Sequence, residues 1–156
     1  MQETTQAEYA REDLAEKGAV RVTNRAGASP FVLVCDHASN WLPSEYGALG
    51  LSGADMLRHI AWDPGALPVS LKMSALLDAA LVEAGVSRLA IDCNRPLDAP
   101  GLIPEISETT LIPGNSSLDV RQRDERIALS WRPFHSTIEA LIDERTAEGR
   151  ETWLVS

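Results

Sequence analysis

The 156-residue sequence has little cysteine: Cys35 and Cys93 are its only two. That is too few for a disulfide framework, so both read as reduced thiols in buried strands of a cytoplasmic protein. Long apolar runs are missing as well. None approaches the roughly 20 residues needed to cross a bilayer, and the N-terminus lacks the basic-then-apolar order of a secretory signal. Cations are scarce: 14 Lys and Arg stand against 23 Asp and Glu, for a net charge of −9. That balance argues against a nucleic-acid partner, because gripping phosphates needs a basic surface. The three histidines form no His-Glu-x-x-His metal motif. What remains is ordinary for a globular chain, 44% apolar and 24% charged, and long enough for a single domain with a core of its own.

The chain is organised around residues 31–43. The apolar run Phe31 to Val34, continued by Cys35, leads into Asp36, His37, Ser39 and Asn40. A run too short for a helix and rich in Val suits a central strand covered on both faces. Polar side chains at the carboxyl end of such a strand enter the crevice where α/β proteins bind ligands. Residues 87–96 repeat the design, an apolar run followed by Asp92, Asn94 and Arg95. A second strand is therefore expected over residues 87–93, parallel to the first, with His37 and Arg95 at the same edge of the sheet.

Before the first strand, residues 1–28 read as a loosely ordered arm with a short helix at 8–17 and docking residues Val20 and Val22. Ser52 with Asp55 has the spacing of a capping box, and Leu51 with Met56 that of a hydrophobic staple. A longer helix is expected next, starting at Pro64 with a kink at Pro68, or at Pro68 itself. Its stripe Val69, Met73, Leu76, Leu77, Ala80 and Leu81 is expected to lie against the sheet, with Gly85 as the stop. Residues 96–113 hold four prolines and read as a long functional loop. Helical spacing returns at Val120, Ile127, Trp131, Phe134, Ile138 and Leu141, with Pro133 kinking or dividing the run. Gly149 ends it, and Thr152 to Val155 begins another strand. The alternation predicts a mainly parallel sheet with helical crossovers.

Individual polar residues keep more than one meaning. His37 suits a metal ligand, a general base or a cap. Asp63 lies four residues after His59, so the two would share a face of one helical turn; as an aspartate before proline it is equally an N-cap. His135, beside the apolar stripe, reads best as a hydrogen-bonded histidine at a helix–sheet contact. Arg95, at a strand end beside Asn94, offers a planar fork for a carboxylate, or an ion pair with Asp92 or Asp98.

Five stretches carry a resemblance: Val34-Cys-Asp-His-Ala-Ser-Asn-Trp-Leu-Pro43, His59-Ile-Ala-Trp-Asp-Pro-Gly-Ala66, Ser87-Arg-Leu-Ala-Ile-Asp-Cys-Asn-Arg-Pro96, Ile112-Pro-Gly-Asn115 and Trp131-Arg-Pro-Phe-His135. Their order resembles that of the N-formylglutamate amidohydrolase family from about residue 30 onward. Departures are Pro64, where relatives carry an aliphatic residue, and Gly-Val before Ser87, where they carry an aromatic.

The resemblance implies a three-layer α/β/α sandwich around a mostly parallel mixed sheet, similar to zinc-dependent exopeptidases and aspartoacylases. It implies metal-dependent hydrolysis of the amide of an N-acyl amino acid such as N-formylglutamate. On it, zinc is the cofactor, His37 and Asp63 are metal ligands, and Asn94, Arg95 and Asn40 bind substrate. The family continues for roughly another hundred residues, a usual domain increment, and its next His-Ser motif is not among these 156. Residues 29–156 are thus expected to be the N-terminal portion of one domain, lacking a third ligand and a catalytic acid/base, with an uncovered sheet edge that favours self-association. Three readings stand at this point: a metal-dependent amidohydrolase, a non-catalytic relative that binds a small carboxylate, and a cysteine hydrolase using Cys35 or Cys93 with His37.

Overall fold

A four-stranded mixed sheet with helices on both faces forms the centre of the chain. The structure, a computed structural model, describes residues 18–156; the helix expected at residues 8–17 lies outside them. Strand β1 (Val20–Thr23) is followed by β2 (Phe31–Cys35), helix α1 (Ala66–Leu77), β3 (Ala80–Ala84), a small hairpin of β4 (Ile106–Ser107) and β5 (Thr110–Leu111), helices α2 (Val120–Arg126) and α3 (Arg132–Ala147), and β6 (Trp153–Val155). The sheet order is β1-β3-β2-β6. Strand β2 pairs in parallel with both β3 and β6, while β1 runs antiparallel to β3.

Alternation along the central strands divides the core. Val32, Ala80, Val82 and Ala84 pack with Phe134, Ile138 and Leu141 of α3, and Val20 and Val22 dock against the same cluster. Leu33, Cys35 and Leu81 face Leu67 and Leu71 of α1 on the other side. These are the three layers expected. Buried within the sheet, Glu83 takes bonds from Arg21 Nε at 3.0 Å and Thr23 Oγ1 at 3.0 Å, which answers its charge. Among the described residues no helix is long and apolar enough to cross a membrane.

Three expectations need correction. First, the strand after α1 is Ala80–Ala84, not residues 87–93. Helix α1 ends at Leu77, about two turns earlier than Gly85, because Asp78 takes up the left-handed conformation, φ 52°, as C-cap. Asn24 Nδ2 donates to its carboxylate at 3.0 Å, and Ser74 Oγ donates to the Ala79 carbonyl at 2.6 Å. Short polar side chains tolerate that conformation as glycine does. Residues 87–93 are instead a buried run of turns, pinned by bonds such as Ser87 N–H to the Trp41 carbonyl at 2.8 Å. Cys93 is therefore buried in a turn, not in a strand.

Second, α1 presents the opposite face. Leu67 and Leu71 pack inward, while Val69, Met73, Leu76 and Leu77 are exposed. The segment is apolar nearly all round, so periodicity alone cannot choose its face. Leu77→Ala is accordingly expected to change stability by no more than about 0.5 kcal/mol, whereas Leu81→Ala, fully buried in β3, should cost roughly 2–5 kcal/mol. Denaturant unfolding of the two variants distinguishes these faces directly. Pro68 is no obstacle, because it lies in the first turn of α1, where its missing N–H would have had no partner.

Third, residues 55–57 form only a single 3₁₀ turn, so His59 and Asp63 do not share a helical face. The Ser52–Asp55 bond of the expected cap is present, Asp55 N–H to Ser52 Oγ at 3.1 Å. The run after Ser117 divides before Pro133, as its missing N–H requires. Residues Ile127–Trp131 widen into a π-turn, with Arg132 N–H bonded to the Ile127 carbonyl.

Beyond the carboxyl ends of the strands, Leu49, Met56, Trp62, Leu89 and Ile112 form a second core among loops. Arg126, 3% exposed, ties these loops together, donating to the Ala90 carbonyl at 3.1 Å, Asn115 Oδ1 at 2.6 Å and the Gly114 carbonyl at 2.9 Å. A rigid loop layer thus rests on the edge of the sheet where β2 delivers its polar residues.

Candidate active site

His37 stands two residues beyond β2, and each of its ring nitrogens meets a carboxylate. Nε2 is 2.6 Å from Asp92 Oδ1 and Nδ1 is 3.1 Å from Asp63 Oδ2. The two acids play unlike parts. Asp92, with a side chain 5% exposed, also accepts the Asn94 backbone N–H at 2.9 Å. Asp63 is half exposed and lies on the turn before α1, where its own N–H bonds the His37 carbonyl at 3.0 Å. Its carboxylate does not cap α1. The cap position is Gly65, whose φ of 93° suits glycine, and the acid turns to His37 instead.

Arg88 completes the group. Its guanidinium donates to Asp63 Oδ1 at 3.3 Å and to Asp92 Oδ2 at 3.0 Å. Burial disfavours the His37 imidazolium, but the bond and charge of Asp92, with the Asp63 bond, outweigh it and the opposing Arg88 charge, so the pKa is raised. Burial alone would raise Asp92; its bond to His37, that residue's charge and the Asn94 N–H instead hold it below the usual carboxylate range. Among the described residues no group of three His, Cys, Asp or Glu side chains is placed to hold a metal. His37 Nδ1 and Asp63 Oδ2 converge as a pair, with Nε2 already held by Asp92. A nitrogen and an oxygen donor suit zinc, and a carboxylate behind the histidine is the support such ligands use.

A cleft of ≈ 400 Å³ opens at this point, lined among others by Asp36, His37, Asp63, Gly65, Asn94 and Ser156. It lies beyond the carboxyl ends of β2 and β6 and before the start of α1, where open α/β sheets take ligands. His37, Asp63 and Asn94 therefore meet. Arg95 is not among the residues lining the cleft; its side chain is 56% exposed and its Nε lies 3.8 Å from Asp92 Oδ2. Its carbonyl is fixed by the Trp131 indole N–H at 2.8 Å. Asn40 is buried and donates to the Met56 carbonyl at 2.8 Å, so its amide serves the loop layer; its Oδ1 has no partner.

The other histidines go elsewhere. His59 is exposed and bonds Glu108 at 2.9 Å. His135 stacks against Trp131 at 4.0 Å between ring centroids and bonds the Cys93 carbonyl at 3.0 Å, a structural role. The thiols do not suit nucleophiles, since burial pushes Cys35 up to about 11 and Cys93 up to about 12. Sequence reasoning missed Arg88, and took Asp92 as one of the polar cluster with Asn94 and Arg95, or as an ion-pair partner for Arg95, not as a partner of His37. The four-residue spacing Arg88–Asp92 is visible in the sequence, but it reads as a contact only on a helix, and here a turn provides it.

A model of the N-formylglutamate amidohydrolase family matches residues 29–156. The fold is similar to the crystal structure of gene product Atu2144 from Agrobacterium tumefaciens, 44% identical with a TM-score of 0.88, over 90% of this chain and 56% of that one. This chain thus spans little more than half the length of that relative. Comparison with curated proteins gives no match. The family model extends over the β2 end, Asp63, Asp92 and Arg95 alike, and on that ground the chain belongs to the N-formylglutamate amidohydrolase family.

Proposed function

We propose that the chain contributes the metal- and carboxylate-binding half of an amidohydrolase that cleaves the amide of an N-acyl amino acid such as N-formylglutamate. The observation that carries this reading is His37 held between Asp92 and Asp63, with Asn94 and Arg95 beside it. His37 and Asp63 would hold zinc, which when bound supplies Lewis acidity at a scissile carbonyl oxygen. The chain's own residues prepare for it. Asp92 holds the Nε2 proton, so the Nδ1 lone pair is the one left for a metal, and a cation there competes with a proton. Arg95 pairs with the substrate carboxylate through its exposed guanidinium, and Asn94 lines the wall between, fixing one end of the substrate relative to the other.

Two donors are fewer than the three protein ligands of a catalytic zinc. These 156 residues on their own are therefore expected to bind zinc weakly and to show no turnover, while still binding N-formylglutamate through Arg95. Zinc titration of the chain beside His37→Ala, and ligand titration followed by NMR beside Arg95→Ala, test both halves. Tight stoichiometric zinc with Arg95-dependent hydrolysis would overturn the two-donor account of the site. Zinc binding indifferent to His37, together with ligand shifts indifferent to Arg95, would overturn the reading altogether.

A further inference from the structure

We propose that Arg88 is a positioning residue that presents Asp63 to the Nδ1 side of His37. The inference rests on reading His37 and Asp63 as a donor pair. Asp63 lies on a turn outside any helix or strand, and its carboxylate is half exposed. One hydrogen bond to a solvent-exposed carboxylate does not fix its rotamer. Here each oxygen has its own partner: Oδ2 faces His37 Nδ1 at 3.1 Å and Oδ1 takes Arg88 Nη1 at 3.3 Å. With Oδ1 tied, Oδ2 has one direction left.

Arg88 can do this because its backbone is held on both sides. Ser87 and Leu89 on either side are fully buried. Ser87 Oγ donates to the Ala61 carbonyl at 2.7 Å, and the Leu89 carbonyl accepts from Asn115 Nδ2 at 2.8 Å. The second arm of the guanidinium, on Asp92 Oδ2 at 3.0 Å, sets its plane. The two carboxylates that flank His37 are thus spaced by a single rigid fork. Lysine carries the same charge but is a point donor on a flexible stem and cannot span both.

The test needs no metal. At about pH 5.5, between the ordinary carboxylate and imidazole values, His37 carries both ring protons, and each is visible in a ¹H–¹⁵N spectrum of the full chain. In Arg88→Ala the Nδ1 proton should exchange with solvent faster by about tenfold, the equivalent of one hydrogen bond, while the Nε2 proton on Asp92 persists. Asp63→Asn should have the same effect, and adding it to Arg88→Ala should change nothing further. Arg88→Lys, which keeps charge and stem, should resemble Arg88→Ala, and serves in its place if the alanine variant fails to fold. An unchanged Nδ1 proton in Arg88→Lys, or additive effects of Arg88→Ala and Asp63→Asn, would sink the proposal. Zinc and Arg95 titrations of the otherwise unaltered chain decide the functional reading separately, so the two failures are distinguishable.

Discussion

Asp92→Ala is expected to lower stability by about 3–5 kcal/mol, the usual cost of removing one partner from a buried ion pair. It strips a partner from His37, Arg88 and the Asn94 N–H at once. The lower end of the range applies because His37 can shed its proton and become neutral. The pair also gives the metal-free chain a pH signature. His37 is raised above 6.5, so its contribution is complete below that pH and is lost as pH rises through the folded value. Asp92 is depressed below 3.8, so its contribution is complete above that pH and is lost as pH falls through the folded value. The pair therefore stabilises most between these limits. Unfolding of the parent chain and of Asp92→Asn across this range should differ most inside the window and by less outside it. A parent profile that parallels the variant throughout would show that the pair contributes nothing to folding.

Phe134→Ala is the second large effect, about 3–5 kcal/mol for a buried aromatic. Phe134 is 1% exposed and joins α3 to Val32, Ala80 and Val82 of the two central strands. Its loss opens a cavity between layers that a stiff sheet cannot close. Val120→Ala, at a residue 76% exposed, is the control and should stay within about 0.5 kcal/mol. A Phe134→Ala cost under about 1 kcal/mol, measured by the same denaturant titration, would contradict the packing of α3 on the sheet.

How legible the fold was depended on where the decisive signal lies. Strand β2 could be read because its apolar run is short and ends in a polar cluster, and the break near Pro133 because a missing N–H has a local consequence. The end of α1 could not, since its stop is an aspartate in a glycine-like conformation and Ala80 and Leu81 happen to continue the helical spacing. Residues 87–93 look like a strand because burial selects apolar residues whether or not their backbone pairs in a sheet. In the site, His37 and Arg95 announced themselves through position after an apolar run. The meeting of Asp63, Arg88 and Asp92 around His37 did not, because it spans residues far apart in the chain and is set by turns. Arg126 was equally hidden: nothing in a charged helical stretch marks one arginine as the tie between loops.

The π-turn at Ile127–Trp131 has a consequence for chain length. Each residue of an α-helix advances the side chains by about 100°, and the wide turn takes up a residue without that advance. Arg126 and Ile127 face the loop layer and its neighbours, while Phe134, Ile138 and Leu141 face the sheet. Deleting one residue from this turn would swing α3 by about 100°, carrying those three side chains off the strands. Insertions in the 96–113 loop leave such phasing untouched; in this helix, the number of residues decides which side chains reach the sheet.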